Sequence, residues 1–68
     1  MRIELNGDAT ELPAGATVAD AVAQTGATAD GRGLAVALDG EVVPRAEWIE
    51  RALAEGASVE VLHAVQGG

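Results

Sequence analysis

Two short runs of alternating apolar and polar residues open the chain, Arg2-Ile3-Glu4-Leu5 and Asp8-Ala9-Thr10-Glu11-Leu12, with Asn6-Gly7 between them. Alternation puts Ile3 and Leu5 on one face of an extended strand and Arg2 and Glu4 on the other. Asn-Gly best tolerates the positive φ angles of a two-residue type I′ turn, so the chain begins with a β-hairpin. Pro13 and Gly15 punctuate its exit. The pattern returns in LAVALDGEVV, where Leu34, Val36 and Leu38 alternate with Ala35 and Ala37 and Asp39-Gly40 supplies a second turn. Pro44 ends this hairpin, because it has no N–H to give to a central ladder. A last alternating run, SVEVLHAV, sets Val59 and Val61 against Glu60 and Leu62.

Between the hairpins the period changes to that of a helix. In ATVADAVAQTG, Val18, Ala21 and Val22 fall on one side, Thr17 suits the N-cap with Asp20 as a capping-box partner, and Gly26 suits the position just past the end. TADGRG, polar and glycine-rich, reads as a loop. RAEWIERALAEG reads as a short helical or 3₁₀ connection that offers Trp48, Ile49, Ala52 and Leu53 for burial and closes at Gly56. The order is therefore strand, strand, helix, strand, strand, short helix, strand. One helix covers only one face of a sheet, so the expected fold class is an α+β roll. Its mixed sheet has about five strands, with the last strand parallel to the first and between the two hairpins.

At 68 residues the chain makes one domain, expected to span residues 1–64, with a flexible Gly-Gly tail at 65–68. Alanine and valine supply most of its 49% hydrophobic content, and Trp48 is its only aromatic residue, so the core is built from small aliphatics and stability should be modest. Trp48 is read as the largest piece of that core. A net charge of −7 repels nucleic-acid phosphates and anionic lipid alike, and favours a protein partner with a basic face. The opening MRIELNGD has no signal-like apolar run and no stretch approaches a membrane span, so the expectation is a cytoplasmic protein, monomeric when free.

Candidate chemistry inside the domain is sparse. With no cysteine, thiolate catalysis and Cys-based zinc sites are excluded, and any sulfur must come from elsewhere. His63 is the only imidazole and is read as a strand residue near the sheet end rather than a ligand, so no metal site is assigned. Gly31-Arg32-Gly33 lacks the surroundings of a phosphate cradle, and no carboxylates pair as an acid and base would. The domain is therefore not expected to be an enzyme or to bind a cofactor of its own.

The sequence ends in His63-Ala64-Val65-Gln66-Gly67-Gly68. Four extended residues reach about 13 Å beyond a fold. An arm ending in glycines is slim enough to thread a narrow channel and deliver a carboxylate to a buried reagent. On the sheet, if Val59 and Val61 face the helix, Leu62 and Ala64 face outward with Ala35 and Ala37. That makes an apolar patch of the kind that marks a partner site.

LNGD in the first hairpin, LDGEVVPRAEW, EGASVEVL and the final Gly-Gly together resemble the ThiS-type sulfur carriers of thiamin biosynthesis, ubiquitin-like β-grasp proteins. The resemblance runs over nearly the whole chain. It implies that the Gly68 carboxylate is adenylated by an E1-like adenylyltransferase of ThiF type, which uses ATP and magnesium. A persulfide donor then leaves a thiocarboxylate that passes sulfur to a ThiG-type thiazole synthase. Val65, Gln66 and Gly67 would thread the partner's active site, while the patch of Leu62, Ala64, Ala35 and Ala37, read from strand alternation, is the candidate for meeting its surface. Two alternatives stay open: a sulfur carrier of another pathway, such as the molybdopterin-synthase small subunit or amino-acid sulfur transfer, and a non-activated β-grasp interaction module.

Overall fold

The computed structural model describes residues 1–27 and 33–63. Strand β1 (Arg2–Leu5) turns at Asn6-Gly7 into β2 (Asp8–Glu11), with φ of 50° and 86° at the two turn residues. Helix α1 (Val18–Gln24) follows, then β3 (Leu34–Leu38), a second turn at Asp39-Gly40 with φ of 50° and 84°, and β4 (Glu41–Val42). A 3₁₀ turn, η1 (Arg45–Glu47), leads to β5 (Ser58–His63). Both hairpins sit where the Asn-Gly and Asp-Gly pairs place them, because those residues adopt left-handed angles at low cost.

The five strands form one sheet in the order β2-β1-β5-β3-β4, with β5 parallel to β1 and antiparallel to β3. The expected central position of the last strand is thus observed. Helix α1 covers one face. Its start is fixed by Thr17, whose N–H donates to Asp20 Oδ2 at 2.8 Å and whose hydroxyl donates to the same oxygen at 3.2 Å. Val18, Ala21 and Val22 are buried against Ile3, Leu5, Val36, Val59 and Val61 from the sheet. Each branched side chain removed from water there contributes on the order of 1.5–3 kcal/mol.

The connection after Pro44 differs in part from expectation. Trp48 and Leu53 are buried, and the Trp48 indole N–H donates to the Val43 carbonyl at 2.9 Å. Ile49, however, is 74% exposed, and Ala52 is exposed as well. The regular 3₁₀ turn, with Trp48 N–H bonded to Arg45 O, ends at Glu47, and irregular turns follow in which Glu50 N–H and Arg51 N–H both bond to Glu47 O. With about three residues per turn, Ile49 points roughly a third of a turn away from Trp48 and leaves the core. Ala52 instead forms an isolated antiparallel bridge with Thr17, which ties this segment to the start of α1.

Candidate functional site

The face of the sheet away from α1 follows from the register. Val36, Val59 and Val61 point into the core, so their neighbours point out. Leu62 lies directly opposite Ala35, and Ala37 lies between Glu60 on β5 and Val42 on β4. Leu62 is 59% exposed and Val42 is 71% exposed. Leu62, Ala35, Ala37 and Val42 therefore make one apolar strip over three strands, as the alternation predicted for the first three. Ala64 lies outside the described residues, as do Val65, Gln66, Gly67 and Gly68.

Val42 is the member that pattern reading missed. The signal was present: a two-residue turn at Asp39-Gly40 pairs Leu38 with Glu41 and hence Ala37 with Val42 on the same face. In the sequence, Val42 simply adjoins the buried Val43 in an unbroken apolar pair.

Beside this strip the same face is acidic. Glu4 lies between Ala9 and Ser58, while Arg2 is taken up by Glu11 through Nε to Oε1 at 3.2 Å. A shallow, open depression between the halves is lined by Glu4, Asn6, Ser58, Glu60 and Leu62. An apolar strip with a carboxylate rim matches a partner surface that is apolar with basic groups around it. His63 is exposed at the end of β5, opposite Leu34. Among the described residues, no group of His, Cys, Asp and Glu could hold a metal, and no buried side-chain polar atom lacks a hydrogen-bond partner. Nor is any helix among them long and apolar enough to cross a membrane.

The candidate site is thus an exposed apolar strip with an acidic border on the sheet face away from α1. The ThiS family model matches residues 3–68, nearly the whole chain and its terminal Gly-Gly with it. The chain belongs to the ThiS family. Membership supports a sulfur-carrier role in thiamine biosynthesis, in a family of small carriers rather than catalysts, and implies partnership with adenylating and thiazole synthase enzymes in general. Solved structures agree on the fold. The crystal structure of the thiamine biosynthesis protein ThiS from Geobacter metallireducens is similar with a TM-score of 0.81 at 24% identity, covering 100% of both chains. An NMR structure of a thiamine biosynthesis protein from the same organism gives 0.77 at 23% identity, covering 100% of this chain and 88% of that one. SAMP1 from Haloferax volcanii gives 0.61 at 20% identity, covering 98% and 97%. These matches place this ThiS-family domain in the ubiquitin-like β-grasp fold. A comparison with curated proteins gives no sequence match.

Proposed function

We propose that this ThiS-family chain carries sulfur as a thiocarboxylate on Gly68. The Gly68 carboxylate attacks the α-phosphate of ATP in an E1-like adenylating partner of ThiF type, which also holds the magnesium, and pyrophosphate leaves. The terminal sulfur of a persulfide then attacks the acyl-adenylate and AMP leaves. A thiol cleaves the resulting acyl disulfide to free the thiocarboxylate, which donates sulfur to a ThiG-type thiazole synthase. The domain contributes a positioned acyl group, and positioning alone removes a large part of the barrier to a bimolecular step.

What carries this reading is that the family match extends through Gly68 itself. The apolar strip fits it, because Leu62 lies on the strand that runs into the tail. In the test, the protein is incubated with its cognate adenylating enzyme, ATP and a persulfide source, and its intact mass is measured. Replacement of one oxygen by sulfur at the C-terminus is expected, and deletion of Gly68 abolishes it. An unchanged mass with the intact chain, and no trapped adenylate, would falsify the carrier reading.

A further inference from the structure

The two hairpin turns are built alike, and each sends its first residue's side chain to β5. Asp39 holds the start of that strand: its N–H donates to Ser58 O at 2.7 Å, and its Oδ1 accepts the Ser58 N–H at 2.9 Å. Asn6 holds the strand further along. Its N–H donates to Val59 O at 2.9 Å, and its Oδ1 accepts the Val61 N–H at 2.8 Å across 55 positions of sequence. In a parallel ladder the acceptor for the Val61 N–H would be the next main-chain carbonyl along β1. The chain reverses at Asn6 with φ of 50°, so that carbonyl is turned away and the side-chain amide takes its place.

Beyond this bond, the paired neighbour of β5 is β3, through Ala35 to Leu62 and Leu34 to His63. Among the described residues, Asn6 is thus the last anchor of β5 on the β1 side. Resting on the carrier reading above, we propose that Asn6 is a positioning residue for sulfur loading. It fixes the direction in which the chain leaves β5 at His63, and so where the Gly68 carboxylate arrives in a partner docked on the outer face. Asp39 makes the same kind of bond at the other end of the strand, which makes it the internal control.

Asn6→Gly keeps the left-handed backbone accessible and removes the acceptor; Asp39→Gly does the same at the start of β5. Asn6→Asp retains an oxygen that can accept. Steady-state pyrophosphate release with the cognate adenylating enzyme should show Asn6→Gly lowering kcat about tenfold with KM within about twofold, since a misplaced reacting group loses rate rather than docking. Asn6→Asp should recover most of that loss, and Asp39→Gly should stay near the parent protein. Amide exchange at Val61 should quicken in Asn6→Gly and not in Asp39→Gly.

Equal kcat for the two glycine variants, or a loss confined to KM, overturns the assignment. So does a Val61 amide in the unmodified protein that exchanges as fast as an unbonded loop amide, a measurement that needs no variant to fold. If the unmodified protein is not adenylated at all, the carrier reading falls and the assignment with it. If it is adenylated and Asn6→Gly performs equally well, the carrier reading stands and Asn6 alone is removed.

Discussion

Trp48 shows how much one side chain decides in a core made of alanine and valine. Its ring is buried and its indole N–H is the donor to the Val43 carbonyl, so it joins the connection after η1 to the end of the second hairpin. Trp48→Phe keeps most of the apolar bulk but leaves that carbonyl without its donor. A loss of about 1–3 kcal/mol in urea unfolding is expected, the usual cost of stranding a buried polar group. Burial of Trp48 was legible from its being the only aromatic residue. Its partner was not, because a side-chain bond to a particular carbonyl depends on the path of the intervening turn. Asn6 repeats the lesson at longer range: its turn conformation is a local preference, whereas its bond to Val61 requires β5 already in place.

At the scale of elements, α1 is only seven residues long, too short to persist without tertiary contacts and a fixed start. Asp20 supplies that start by accepting from the Thr17 backbone and hydroxyl. Asp20→Ala should cost about 1 kcal/mol in thermal or urea melts, and Asp20→Asn should recover part of it by keeping an acceptor. Boundaries of the strands and of α1 were readable because caps and turn residues act within a few positions. The connection after Pro44 was less so. The expected 3₁₀ turn is there, but irregular turns follow it, so Trp48 and Leu53 go inward while Ile49 and Ala52 do not.

Among the described residues, α1 covers one sheet face and leaves the other open, and that open face is divided into an apolar strip and an acidic region. Leu62→Glu and Val42→Glu should change stability by no more than about 0.5 kcal/mol, since both side chains already face water. In the adenylation assay each should raise KM for the carrier about tenfold, the effect of losing an apolar anchor at an interface centre. Full activity in both variants would remove the strip from the docking surface. The same KM should rise with salt, because Glu4 and Glu60 border the strip and screening weakens their attraction to basic partner groups. A KM independent of ionic strength would leave the acidic border without a role in recognition.

The sequence by itself determined the two hairpins, the capped helix, the order of elements and the glycine ending, since alternation, turn preference and capping are chosen within a few residues of one another. It also excluded metal and thiolate chemistry based on cysteine, through the absence of that residue. Only the tertiary structure decided the register that sets Leu62 opposite Ala35, and that Asn6 anchors the strand leading to the tail. Those outcomes depend on strand pairing and chain reversal between segments far apart in sequence, where no local preference reaches.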